Sequence, residues 1–228
     1  MSDERAGSSI DDRGLDRILS LSDGIFAFAI TLLVLNLTLP TLNQAATSST
    51  LLSSLWTERS KFIAYIVSFY VISSYWLAHH RVFRYVKRYD GLLIQLNLLF
   101  LLFITIVPFF TQLISTYGNL EAAEDIFYLS QAFGGVLLTF LWIHASRNFL
   151  LIEDDTPKSL IRWVTVRGLI SPSVFLAAAV VSLFVPSYSS LTLIAIAPVT
   201  RILFRKYGYK RTPESQKADL ARGSTQNG

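Results

Sequence analysis

Long apolar runs separated by short polar segments dominate the chain. They cover roughly residues 17–39, 61–84, 92–115, 126–146, 163–185 and 190–205. An apolar helix needs about 20 residues to cross the hydrocarbon core of a bilayer. The pattern therefore predicts an all-α polytopic membrane protein with six transmembrane helices, of which the sixth is the shortest.

The composition supports this fold class and excludes several kinds of site. Of the 228 residues, 52% are hydrophobic and only 16% are charged, whereas about 25% of residues are charged in an average soluble domain. The chain has no cysteine, so disulfides, thiolate metal sites and cysteine nucleophiles are excluded. It also has no Walker loop and no nucleophile elbow. We predict that the protein is not an enzyme and requires no cofactor.

The positive charges predict the orientation. With the N-terminus in the cytoplasm, 18 of the 20 Lys and Arg residues lie in cytoplasmic segments, and only Arg59 and Lys61 lie outside. Cytoplasmic loops of membrane proteins carry this excess, so the net charge of +4 requires no nucleic acid partner. We predict a multi-pass protein of the plasma membrane, with a disordered tail over 1–15, a membrane domain over 16–206 and a basic and polar tail over 207–228, both tails being cytoplasmic.

The first apolar run begins with polar side chains that are costly in a membrane. Arg17, Ser22 and Asp23 fall in its first two turns, and such groups need to face protein or water. On a helical wheel, Ser22 and Asp23 point towards neighbouring helices. A separate stripe of side chains along the same helix faces lipid, another subunit or a pore. After the arginine at its start, every residue of this stripe is apolar except one threonine. The stripe consists of Arg17, Leu21, Gly24, Phe28, Thr31, Leu32, Leu35 and Leu39.

The second and third spans offer partners for these polar groups. His79 and His80 are adjacent on a helix and point about 100° apart, so they cannot both bind one metal ion, and we predict no metal site. We predict a polar network at the cytoplasmic end of the bundle, containing Arg17, Ser22, Asp23, Trp76, His79 or His80, and Asn97. Simpler alternatives are an interfacial helix cap for the histidines, a membrane-surface anchor for Arg17, and a bond from Thr31 to its own helix.

A family resemblance rests on these residues. The segment Arg17-Ile-Leu-Ser-Leu-Ser22-Asp23 resembles the Arg-x-x-x-Phe-Ser-Asp signature of the endosomal/lysosomal transmembrane potassium channel family. The match continues through Trp76-x-x-His79-His80-x-x-Phe83, Asp90, Asn97-Leu-Leu-Phe100 and Pro108-Phe109. It covers most of residues 17–111. The chain looks most like prokaryotic members with one six-helix repeat per subunit.

The resemblance implies a homotetramer whose first helices line a central pore without a carbonyl selectivity filter. It implies that Phe28, Leu32 and Leu35 form an apolar constriction, with Thr31 as a polar layer. Two residues depart from the family pattern: Leu21 replaces the phenylalanine of the signature, and Phe28 stands where isoleucine or leucine is usual. Because phenylalanine is larger than isoleucine or leucine, Phe28 predicts a constriction, or neck, that is bulkier and excludes water more strongly.

The predicted function is passive flux of K⁺, or of monovalent cations with weak selectivity, through this pore in a lipid bilayer. K⁺ is then the permeant ion and not a cofactor. Two alternatives stay open on the residues alone. One is a proton- or cation-coupled secondary transporter that uses Asp23 and a histidine as a relay. The other is a non-conducting membrane scaffold whose stripe is a seam between subunits.

Overall fold

The computed structural model describes residues 2–40 and 47–184, and all regular secondary structure in that part of the chain is helical. The helices are α1 (Ser2–Leu32), α2 (Ser48–Thr57), α3 (Arg59–Phe83), α4 (Gly91–Tyr117), α5 (Glu121–Ser146) and α6 (Lys158–Phe184). Short 3₁₀ helices follow α1 over Leu33–Asn36 and α5 over Arg147–Phe149. The predicted sixth span over 190–205 and the predicted tail over 207–228 lie outside the described residues.

Five segments are long and apolar enough to cross a membrane. They are Arg13–Asn36, Arg59–Phe83, Gly91–Tyr117, Glu121–Phe149 and Lys158–Ser182. The all-α polytopic fold predicted from the sequence is therefore confirmed. The last two segments begin about five residues earlier than predicted, because a helix continues through polar first turns that an apolar run does not include.

The N-terminal tail differs from the prediction. Helix α1 begins at Ser2, so residues 2–15 continue the first membrane helix and do not form the predicted disordered tail. No proline interrupts the segment. Polarity alone does not distinguish a disordered tail from a helix that extends beyond the bilayer.

The polar segment after Pro40 also contains a helix that the sequence analysis did not predict. Helix α2 begins after Thr47, whose hydroxyl accepts a hydrogen bond from the Thr50 backbone N–H, while the Thr50 hydroxyl accepts one from the Thr47 N–H. This reciprocal pair is a capping box, which satisfies two backbone donors at a helix start. Here the second residue is threonine instead of the usual glutamate or glutamine, which weakens the signal in the sequence.

The core forms where α1, α3 and α4 meet, and a close α5–α6 pair packs beside it. Phe26, Ile72, Phe100 and Ile104 are almost completely buried in this core. On α5, the position of Gly134 lies directly against the ring of Phe103 on α4. Small residues of this kind allow membrane helices to approach closely.

Two loops join at the end of the bundle that carries most of the basic residues. The backbone N–H groups of Lys87 and Arg88 donate to the carbonyl of Leu151, at 2.8 and 3.2 Å. Asp90 caps α4 by accepting a bond from the Leu93 N–H at 2.7 Å, and its carboxylate lies 2.9 Å from His144 Nε2 on α5. We call these contacts the loop clasp.

The loop clasp affects the ionisation of Asp90. Burial raises the pKa of this carboxyl, but the hydrogen bonds from Leu93 and His144 outweigh that effect, and the pKa lies below its ordinary value. A lowered carboxyl pKa means that the ionised form stabilises the folded state.

We expect Gly134→Ala to destabilise the protein by about 1–3 kcal/mol, because the added methyl group collides with Phe103 in a packed core. The control is Gly91→Ala, since a methyl group there has nothing within 4 Å. Thermal unfolding in detergent measures both. Equal stability of the two variants would contradict the packing.

We expect Asp90→Asn to lower the melting temperature at neutral pH. The stabilisation by the Asp90 carboxylate is present above the unfolded-state pKa of about 3.9 and disappears as the pH falls through the lower folded-state pKa. The difference between wild type and variant should therefore shrink in acid. Asp154→Asn is the control, because the Asp154 side chain is 85% exposed. A difference that does not change with pH would argue against the role of the charge.

Candidate functional site

A chain of hydrogen bonds joins three helices inside the bundle. Asn97 on α4 donates from Nδ2 to the Ser22 hydroxyl on α1 at 3.1 Å, and His79 on α3 lies with Nε2 2.8 Å from Asn97 Oδ1. Because an amide oxygen only accepts, His79 is the donor of this bond. Ser22 donates in turn to the Ile18 carbonyl at 2.8 Å. Ser22, His79 and Asn97 are all at most 1% exposed.

Aromatic rings fix the orientation of His79. Its imidazole is nearly parallel to the ring of Phe100, at 7° and 5.8 Å between centroids, and lies 4.4 Å from Phe83 and 5.6 Å from Phe26. A buried histidine with one nitrogen bonded and both faces packed has little freedom to rotate. His79 is therefore a rigid element that links α3 to the other two helices.

Asp23 and Trp76 form a second, more exposed link between α1 and α3. The indole Nε1 of Trp76 donates to Asp23 Oδ1 at 2.8 Å. His80 is exposed and lies one turn further along the same face of α3, where its ring stacks on that of Trp76 at 5.6 Å between centroids and an interplanar angle of 23°. Of the two adjacent histidines, His79 thus faces the buried network and His80 faces outwards.

Two contacts that could form within the predicted polar network are not made in the described part of the chain. Arg17 is exposed and forms no hydrogen bond or ion pair within the described residues, because the six-residue spacing places it about 120° away from Asp23 around the helix. A hydrogen bond between Asp23 and His79 is also absent from the described part, since each side chain uses another partner.

The stripe on α1 is the face that the subunit leaves uncovered. Phe28 is 61% exposed and Leu35 is 70% exposed, while Phe26, Ala29 and Leu33 on the opposite face are buried. Leu32 is partly buried at the edge of the stripe. The structure therefore gives α1 one packed face and one face of large apolar side chains that no other part of the described chain covers.

Thr31 is the polar residue within this apolar part of the stripe. Its side chain is exposed, and its hydroxyl donates to the Phe28 carbonyl at 2.8 Å. The bond to its own helix, considered as an alternative from the sequence, is thus present, although it reaches three residues back. Both lone pairs of the oxygen stay available as acceptors.

A contact at the far end of the first span was not predicted. Asn36 Nδ2 donates to the backbone carbonyl of Pro108 on α4 at 3.1 Å. The available signal was an asparagine at the end of one apolar run and a proline in another. Their pairing depends on the relative shift of α1 and α4, which the sequence pattern does not define.

The described residues contain no group of three or more His, Asp or Glu side chains that is arranged to hold a metal ion. The polar network is therefore a set of neutral and singly charged side chains that join helices. Beyond Arg17, the uncovered face of α1 offers leucine side chains, the ring of Phe28 and the hydroxyl of Thr31.

Comparison with known proteins places these features in a family. Residues 17–108 match the family model described as endosomal/lysosomal potassium channel TMEM175. The "Potassium channel B446_29190" of Streptomyces collinus is 33% identical over 155 residues, or 66% of this chain and 74% of that protein. The "Potassium channel Cha6605_3372" of Chamaesiphon minutus is 32% identical over 171 residues, or 73% of this chain and 83% of that protein.

A solved structure gives the same fold. The crystal structure of a lysosomal potassium-selective channel TMEM175 homologue from Chamaesiphon minutus aligns with a TM-score of 0.73 at 26% identity. The alignment covers 86% of this chain and all of that one. Sequence and fold agree, and the chain belongs to the TMEM175 family of potassium channels.

Proposed function

We propose that this protein is one subunit of a potassium channel and that the stripe on α1 lines its pore. The observation that carries the proposal is the contrast between the two faces of α1. Phe28 on α1 and Leu35 in the 3₁₀ helix that follows it are exposed, although Phe26, Ala29 and Leu33 on the opposite side of this segment are buried. Membership of a potassium channel family supports K⁺ as the permeant ion.

One subunit offers only one wall of a pore, so the proposed function requires several copies around a common axis. We propose a homotetramer in the plasma membrane, with K⁺ moving passively. The proposed orientation has both termini in the cytoplasm, which the distribution of Lys and Arg supports. The sequence resemblance supports four subunits.

The side chains of the stripe suggest how such a pore is closed and which ions it accepts. Rings of Phe28, Leu32 and Leu35 form an apolar neck, and a narrow apolar neck blocks hydrated ions because water leaves it. Thr31 donates its proton to the Phe28 carbonyl, so its oxygen presents acceptor lone pairs to the pore. A ring of acceptors favours cations over anions.

The polar network positions the neck. The bond from Asn97 to Ser22 attaches α1 on one side of Phe28, and the bond from Asn36 to Pro108 attaches the same segment on the other side. The two attachment points are about 20 Å apart along the helix. Rotation of α1 would break both bonds, so the network keeps Phe28 directed away from the subunit core.

We expect Phe28→Ala to increase passive K⁺ efflux from proteoliposomes severalfold, because a smaller side chain widens the neck and lets water enter. The control is Phe140→Ala, which removes a phenylalanine of similar exposure, 55%, from α5. The assay uses purified protein with K⁺ inside and Na⁺ outside.

Three outcomes of this assay contradict the proposal. Equal flux in wild type and Phe28→Ala would remove Phe28 from the pore. Saturable flux that depends on a proton gradient would indicate the secondary transporter. No flux from any variant would indicate the non-conducting scaffold.

We expect Asn97→Leu to destabilise the protein by about 1–3 kcal/mol, because it leaves the buried Ser22 and His79 groups without their partner. The control is Gln95→Leu, an exposed position two residues earlier on α4. Thermal unfolding measures stability, and proteoliposome flux measures whether K⁺ passage changes as well. An Asn97→Leu variant as stable as wild type would contradict the network.

A further inference from the structure

Helix α2, between the first two membrane-spanning segments, has two chemically different faces. The apolar face consists of Leu51, Leu52, Leu55 and Trp56. The opposite face consists of Thr50, Ser53, Ser54 and Thr57. The apolar residues lie within about 140° of the helix circumference, and α2 contains no Asp, Glu, Lys or Arg. A helix divided in this way suits a boundary between an apolar and an aqueous phase.

The described part of the subunit leaves the apolar face of α2 uncovered. Trp56 is 71% exposed and Leu52 is 67% exposed, and no residue of α2 is buried. An exposed apolar patch with a polar rim marks a surface that contacts a membrane or another protein.

The position of α2 in the chain places this patch beside the bilayer. Only one residue separates the end of α2 at Thr57 from Arg59, where the membrane-spanning helix α3 begins. Phe62 is the first exposed large apolar residue of α3, and it follows Trp56 by six residues, which is at most about 9 Å of helix. The headgroup region on each side of a bilayer is about 5–8 Å thick. Trp56 is therefore within reach of this region.

Contacts at the junction of α2 and α3 hold α2 in this place. Arg59 Nη1 donates to the Trp56 carbonyl at 3.1 Å, and the guanidinium carbon lies 5.7 Å from the centre of the Trp56 ring. Glu58 has a ψ of 8°, whereas ψ in an α-helix is about −42°, so the chain bends between the two helices. Lys61 Nζ lies 2.8 Å from the Glu58 carboxylate and donates to Thr38 Oγ1 at 3.0 Å.

We propose that α2 is an interfacial helix that binds zwitterionic phospholipid at the bilayer surface, with Leu52 and Trp56 inserted towards the acyl chains. Tryptophan is enriched at the membrane–water interface because its ring is apolar and its N–H is polar. The polar face of α2 offers hydroxyl groups, which bind water and headgroups without requiring negatively charged lipid. Binding then depends on the insertion of large apolar side chains and so on how tightly the lipids pack.

A second protein chain matches this face less well. Its four apolar side chains expose on the order of a few hundred Å², whereas a standard protein interface buries about 800 Å² per partner. A bilayer has no such minimum area, and the neighbouring spans already hold α2 at its surface.

Binding of α2 to lipid would connect the bilayer surface to the end of the first span. Lys61 joins the start of α3 to Thr38, which lies two residues after the 3₁₀ helix that follows α1. The proposal concerns membrane contact and does not depend on ion conduction. Its test therefore measures where side chains lie and not flux.

The chain has no cysteine, so a single cysteine introduced on α2 can be labelled selectively with a nitroxide. The variants are Leu52→Cys, Ser53→Cys, Trp56→Cys and Thr57→Cys in the full-length protein, reconstituted into phosphatidylcholine vesicles. Electron paramagnetic resonance measures collisions of the label with O₂, which concentrates in hydrocarbon, and with a water-soluble nickel chelate. We expect the ratio of oxygen to nickel accessibility to be several times higher at positions 52 and 56 than at 53 and 57.

Ser53→Cys and Thr57→Cys are the matched controls, because each is exposed and directly follows a test position on the same helix. If Trp56→Cys does not fold after losing its contact with Arg59, Leu52→Cys carries the test. Adding phosphatidylglycerol to the vesicles should leave the ratios nearly unchanged, because α2 itself carries no charge.

Three results would overturn the proposal. High nickel accessibility at all four positions would place α2 in water. Protection of positions 52 and 56 from both reagents would indicate that protein covers the apolar face. A high ratio that appears only with phosphatidylglycerol would indicate attraction to anionic lipid.

Discussion

The buried amide of Asn97 is the constraint on which the arrangement of the first helices depends. It lies in an apolar bundle and has both a donor and an acceptor to satisfy, and it does so with one group on α1 and one on α3. Losing either bond inside a membrane protein leaves a polar group without water or protein to replace it. The rotation of three helices about their axes is therefore fixed by one side chain, and the outward direction of Phe28 follows from it.

The contacts of α1 differ along its length. At its two attachment points it is held by directional hydrogen bonds, while Phe26, Ala29 and Leu33 between them make only apolar contacts. Hydrogen bonds tolerate little displacement, whereas apolar surfaces slide with a smaller loss of energy. A small bend of α1 near Phe28 is therefore easier than a rotation of the whole helix.

The sequence predicted the parts of this protein that repeat a simple physical rule. Apolar runs of bilayer length identified the five spans within the described residues, and the cost of Ser22 and Asp23 in hydrocarbon indicated that they face other helices. The pattern did not distinguish His79 from His80, because both faces of α3 are apolar and only packing decides which one is buried. It also did not predict that Asn97 stands between Ser22 and His79, since this depends on the relative depths of three helices.

The loop clasp and Pro108 give the bundle a mechanical asymmetry. At the basic end, Lys87 and Arg88 after α3 form backbone hydrogen bonds to Leu151, and Asp90 contacts His144. These contacts hold the ends of α3, α4 and α5 together and make this end of the bundle stiff. Towards the other end, Pro108 has no N–H group, so one backbone hydrogen bond of α4 is missing there. The carbonyl of Pro108 accepts a hydrogen bond from the Asn36 side chain. Stress on the bundle, such as bilayer tension, would therefore be taken up by the compliant end and barely deform the stiff one.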